Sequence, residues 1–101
     1  MYLIDLLIPA YDNEGRKFGS DLFATVRHEL TDRFGGLTVF SRAPAEGLWS
    51  TDGEVRKDDI VVFQVMAPSL DRDWWRQYRK TLEQRFRQEV IVLRAQPIEI
   101  L

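Results

Sequence analysis

The sequence contains no cysteine. Disulfide frameworks, thiolate nucleophiles and cysteine-ligated zinc or iron–sulfur centres are therefore excluded within the chain. It has one histidine, His28, so a histidine-rich metal site cannot be built from one copy. Any Ser-His-Asp arrangement would have to use that residue as its base. Long apolar runs are missing too. No stretch approaches the roughly 18 apolar residues needed to span a bilayer. The opening Met1-Tyr2-Leu3-Ile4-Asp5 has no basic region of the kind that precedes a secretory signal. The expectation is a cytoplasmic protein with no membrane partner. An excess of one charge is likewise absent: 14 basic against 16 acidic side chains leave a net charge of -2. That balance argues against a general nucleic-acid binder, which needs cations to displace counterions from phosphates.

What is present is ordinary globular material. A chain of 101 residues suits one domain, residues 1–101, and can bury roughly two thirds of its unfolded surface. The 45% hydrophobic and 30% charged contents supply a core and a solvated exterior.

Two periodicities organise the chain. Residues 2–8 alternate as a strand, with Tyr2, Ile4, Leu6 and Ile8 on one face and Leu3, Asp5 and Leu7 on the other. Turn chemistry follows at Asp12-Asn13-Glu14-Gly15. Residues 21–34 carry Leu22, Val26, Leu30 and Phe34 on a helical stripe, with Phe23 beside it, Ser20 as the expected N-cap and Gly35-Gly36 as the stop. Residues 37–42 read as a second strand and 59–66 as a third. Between them, Leu48-Trp49-Ser50 and the turn signal Asp52-Gly53 predict a long, irregular hairpin spanning about 37–66. A second helix, capped by Ser69 or Asp71, places Trp74, Tyr78, Leu82 and Phe86 on its stripe and leaves Trp75 beside it. Residues 89–95 read as the last strand, and Pro97 limits further pairing.

The order is strand, helix, strand, strand, helix, strand. It predicts an α+β, ferredoxin-like βαββαβ fold: a four-stranded antiparallel sheet, two helices on one face, the first and third strands central. The central strands carry apolar residues on both faces. Helices on one side would leave the other greasy, and such faces mark contact surfaces. A homodimer packing sheet against sheet or sharing hairpin tips is the expected partner state.

Several residues qualify as candidate ligand or interface positions. Arg42-Ala43-Pro44-Ala45-Glu46-Gly47-Leu48-Trp49 gathers a guanidinium, a carboxylate and an indole around a constrained loop. Arg42 would pair with an anionic ligand and Trp49 would stack on it, or Trp49 would pack into a dimer contact. Trp75, spare on the second helix, would cover a helix edge or an interface. His28 has a near-neutral pKa suited to a general base, and its bland reading is a passive helix histidine. The pairs Asp58-Asp59 and Asp71/Asp73 could hold a metal, but serve more simply as a charged strand entrance and a helix N-terminus. No metal site and no cofactor is expected, and no catalytic residue is assigned. The second helix is rich in arginine, yet residues 71–89 carry six basic and four acidic side chains, the pattern of a solvated, ion-paired face.

Phe34-Gly35-Gly36-Leu37-Thr38, the 42–49 segment and Gln84-Arg85-Phe86-Arg87-Gln88-Glu89 together resemble a family of small bacterial proteins to which no activity is attached. The resemblance covers nearly the whole chain and implies no catalytic residue. More remotely, the layout is similar to dimeric α+β barrel proteins, which include monooxygenases, isomerases and small-molecule sensors. That likeness implies a dimer and, at most, cofactor-independent chemistry; the catalytic histidines of those proteins have no clear counterpart here. Two functions follow as expectations. The first is a dimeric accessory module that binds a small molecule or a protein. The alternative is a small enzyme of the α+β barrel type, using Arg42, Glu46 and His28.

Overall fold

A computed structural model describes residues 1–42 and 59–101, with Ser41 and Arg42 described by their backbone alone. The elements are β1 (Tyr2–Pro9), α1 (Ser20–Phe34), β2 (Thr38–Arg42), β3 (Ile60–Ala67), α2 (Arg72–Arg85) and β4 (Val92–Pro97). All pairings are antiparallel and the sheet order is β2-β3-β1-β4. The first and third strands are central, as the βαββαβ order requires.

Register explains the two faces. Ile4, Leu6 and Ile8 stand opposite Val65, Phe63 and Val61, and Ile4 and Leu6 also stand opposite Ala95 and Leu93. Ile4, Leu6, Ile8, Phe63 and Val65 join Val26 and Leu30 of α1 and Trp75, Tyr78 and Leu82 of α2 in one buried cluster. Both helices therefore cover the same face of the sheet. On the opposite face the rows differ in kind. Thr38, Gln64, Asp5 and Arg94 form a polar row across all four strands. Gln64 Nε2 donates to Asp5 Oδ1 at 2.9 Å and Arg94 Nε to Oδ2 at 3.2 Å. The neighbouring row is Phe40, Val62, Leu7 and Val92.

The excess of apolar residues on this second face is real but uneven. Phe40 is 45% exposed, and Met66 and Val92 51%, whereas Val62 is only 6% exposed. The hairpin tip expected between β2 and β3 lies outside the described residues.

Most boundaries shift by a residue, β4 runs on to Pro97, which pairs with Tyr2, and two differences have a structural cause. The N-cap of α1 is Gly19, with no side-chain capping bond, and Ser20 is the first helical residue. β4 begins three residues later than expected, at Val92. Phe86 caps α2, and Arg87 adopts a left-handed φ of 52°. The turn is closed by Gln88 N donating to Glu83 O at 2.9 Å and by Ile91 N donating to Glu83 Oε2 at 2.9 Å. Those bonds hold residues 86–91 in a corner, so the strand cannot start at Glu89.

The two helices are tied to each other by charge. Arg85 of α2 grips both carboxylate oxygens of Glu29 on α1, and the Tyr78 hydroxyl donates to Glu29 Oε1 at 3.2 Å. The Arg85 hydrogen bond holds the Glu29 carboxyl below its ordinary value, while burial pushes the Tyr78 hydroxyl up. A depressed carboxyl contributes stability that is complete above its unfolded pKa, 4.5 here, and is lost as pH falls through the folded value. Glu29→Gln is expected to cost about 1 kcal/mol at neutral pH for this half-exposed pair. In urea melts the gap between wild type and variant should close between about pH 5 and pH 3; a pH-independent gap would contradict the assignment.

Candidate functional site

A cleft opens between α1, the loop after β1 and the β2–β3 half of the sheet, and encloses about 580 Å³. That is within the usual range for small-molecule sites. Three segments build it. The first is the loop 10–19. Asp12 Oδ1 accepts the backbone N–H groups of Glu14 and Arg16 at 2.9 and 2.8 Å. Gly15 takes the left-handed φ of 79° that the turn requires. These bonds, led by the Arg16 N–H, hold the Asp12 carboxyl below its usual range. The turn folds the loop back so that Tyr11 and Lys17 bridge, and Phe18 N donates to Ala10 O at 3.0 Å. Tyr11, Lys17 and Phe18 are thereby brought to the cleft.

The second segment is α1. Ser20, Phe23 and Arg27, spaced three and four apart, share one helical stripe and all line the cleft. This stripe lies beside the buried one of Val26 and Leu30. The third is the sheet, which contributes Val39, Asp59, Ile60, Val61 and Phe63. The Ala10 N–H donates to Asp59 O at 2.9 Å, fastening the loop to the start of β3. Under the cleft, Phe23 stacks on Phe63 with centroids 6.4 Å apart, and Phe18 meets Phe86 edge-on at 5.2 Å. The interior is thus aromatic and the rim polar.

At the cleft two cations stand against one carboxylate, that of Asp59, a balance that favours an anion. Lys17 and Arg27 are both exposed at the cleft, and neither has a carboxylate partner among the described residues. The N-terminus of α1 enters at Ser20 without a side-chain cap. The Leu22 N–H donates to Gly19 O at 3.3 Å; the remaining first-turn N–H groups and the helix dipole add positive potential at the same rim, which Asp21 in that turn partly offsets.

The residues singled out by sequence are scattered. His28 is exposed on α1 and does not line the cleft. Arg42 ends β2 with its backbone opposite Ile60, a cleft residue, but its side chain, with Glu46 and Trp49, lies outside the described residues. Asp58 also lies outside them. Asp71 caps α2 by accepting Trp74 N at 3.1 Å, and Asp73 pairs with Arg76 at 3.2 Å. Among the described residues no three His, Asp or Glu side chains cluster as metal ligands.

Trp75 requires a correction. It is not a spare residue at a helix edge; it is 7% exposed and packs in the core, while Trp74 is only half-buried. The reason is angular. At 100° per residue, steps of four drift by about 40°. Counted back from buried Leu82, Trp74 has drifted by about 80°, whereas Trp75, seven residues back, is within about 20°. Trp75 stacks on Phe34 at 5.2 Å, and Trp74 is covered instead by the Arg33 guanidinium at 4.1 Å.

No family model matches the chain, and no curated protein matches it. Among solved structures, the chain is similar to a phage SAM lyase in complex with S-methyl-5'-thioadenosine. The TM-score is 0.58 at 11% identity, covering 94% of this chain and 79% of that one. The TM-score shows a shared fold, and identity that low carries the fold alone.

Trp75→Ala should cost about 3–5 kcal/mol, the usual range for emptying a core aromatic site, and Trp74→Ala less than half of that. Denaturant titration of both variants checks the order, and the reverse order would restore Trp74 to the core stripe.

Proposed function

We propose that the protein binds a small molecule with an aromatic or apolar body and an anionic group in the cleft between α1 and the β2–β3 half of the sheet. The observation that carries this reading is the convergence of Lys17, Arg27 and the uncapped N-terminus of α1 on one aromatic-floored cavity of about 580 Å³. An apolar floor with a few convergent polar groups is the usual design of a ligand site. Arg42, the last described residue of β2, pairs through its backbone with Ile60, a cleft residue, which supports a ligand role for the motif that begins there. The FGGLT, RAPAEGLW and QRFRQE motifs are the basis for placing the chain in a family of small bacterial proteins.

The enzymatic alternative draws its support from the fold shared with the SAM lyase. That protein's bound S-methyl-5'-thioadenosine supplies a nucleoside-sized probe for the present cleft. A thermal-shift screen should include it, S-adenosylmethionine and a set of carboxylated and phosphorylated aromatic metabolites. At least one compound is expected to stabilise the protein, by about 2.7 kcal/mol at a hundredfold excess over Kd. Val39→Trp, which fills the cleft, should abolish the shift, and Arg27→Ala should weaken it for anionic ligands. A stabilising ligand indifferent to both variants would move the site elsewhere. Turnover of a bound compound, followed by mass spectrometry, would favour the enzyme.

The second sheet face supports a homodimer. Phe40, Met66 and Val92 are exposed there, while Asp5 and Arg94 neutralise each other in the adjacent row. A second copy of the same face offers matching apolar stripes without net charge. Sedimentation equilibrium should give a dimer mass that falls towards the monomer in Phe40→Glu. A monomer at every concentration would exclude it.

A further inference from the structure

We propose that the groove between α2 and β4 docks an extended acidic segment of a partner protein, which joins the sheet as a fifth strand along β4. The groove encloses about 160 Å³, is floored by Leu70, Trp75 and Leu93, and its charged lining residues are all arginines: Arg72, Arg76, Arg79 and Arg94. The first three, at spacings of four and three, fan over about 60° of one face of α2.

Their counter-charges within the chain are weakly committed. Arg76 pairs with Asp73 at 3.2 Å in an exposed pair, and Arg79 reaches Glu83 only at 3.9 Å. Glu83 is already engaged with the Ile91 N–H. Arg94 is held by Asp5 on the second face of the sheet. Arg72 has no carboxylate partner among the described residues. Exposed ion pairs are worth about 0–1 kcal/mol, so an incoming carboxylate can exchange with them.

Among the described residues β4 is an edge of the sheet, and alternate backbone groups on its outer side have no strand partner there. Such an edge accepts an added strand: main-chain hydrogen bonds supply affinity and alternate side chains supply specificity. Carboxylates on the helix side of that strand would meet the α2 arginines. Apolar residues on its other side would lie beside Val92, which is half exposed. A second copy of β4 is a poor occupant. Antiparallel β4–β4 pairing would set the arginines of both α2 helices against each other, and like charges across an interface oppose association. An acidic strand from another protein has the complementary sign. This surface is separate from the α1 cleft and stands or falls independently of it.

The test is fluorescence anisotropy on the full chain, with a labelled peptide of alternating valine and glutamate and a control in which lysine replaces glutamate. The glutamate peptide is expected to bind and the lysine peptide not. The double variant Arg72→Glu/Arg76→Glu, at two exposed positions, should weaken binding about tenfold or more. Saturating peptide should slow amide hydrogen exchange along β4. Four results would overturn the proposal. These are no binding at millimolar peptide, equal binding of both peptides, an unchanged affinity in the double variant, or binding that leaves β4 exchange untouched. Displacement by an oligonucleotide of equal charge at lower concentration would also overturn it, assigning the arginines to phosphate instead.

Discussion

Everything in this fold depends on β1 being apolar towards the helices while paired on both edges. From Tyr2 to Pro9 it runs in register with β3, and from Tyr2 to Leu7 with β4. Its Ile4, Leu6 and Ile8 are the centre of the buried cluster. Burying three such side chains contributes about 1.5–3 kcal/mol each, and only the helix face offers cover for them. The helices must therefore share one side. Their mutual spacing is then held by Glu29, Arg85 and Tyr78, a polar link whose members come from both helices.

That constraint divides the molecule by function. On the helix side, α1 and α2 pack on different halves of the sheet. The loop after β1, pinned by Asp12, holds the α1 half open as an aromatic cleft with cations at its rim. The α2 half closes more tightly over Trp75 and leaves an arginine-lined groove against β4. On the other side, the same alternation in β1 places Leu3 and Leu7 around Asp5. Among the described residues no helix covers them, and the hydrogen-bonded row of Gln64, Asp5 and Arg94 lies between these apolar neighbours. The three proposals follow this division: a small molecule in the cleft, a strand on the edge and a second copy on the other face.

Strand alternation and helical stripes were enough to read the element order, the central position of β1 and β3, and the two-faced sheet. A period of 2 tolerates no drift, so face assignments in β1 and β3 were robust. Helical stripes drift, so counting in steps of four puts Trp74 in the core where Trp75 belongs. The site was less legible. Ser20, Phe23 and Arg27 form a recognisable stripe beside the buried one, but only the fold shows that a cavity lies next to it. Lys17 and Phe18 reach the cleft through a loop whose path depends on Asp12 bonding the backbone two and four residues on. Two family-like motifs turn out to have structural duties. Gly35 ends α1 at a left-handed φ of 76°, and the Gln84–Glu89 run forms the corner after α2, with Arg85 clamping Glu29 and Phe86 buried.

The central proposal is that the α1 cleft, rather than another concavity among the described residues, receives a small-molecule ligand. Amide hydrogen exchange of the protein, free and saturated with the strongest stabilising compound, tests it most directly. Protection is expected to rise at Phe18, Phe23, Ile60 and Val61 and to stay level along β4. Protection confined to β4 and α2, or spread evenly over the sheet, would contradict the account.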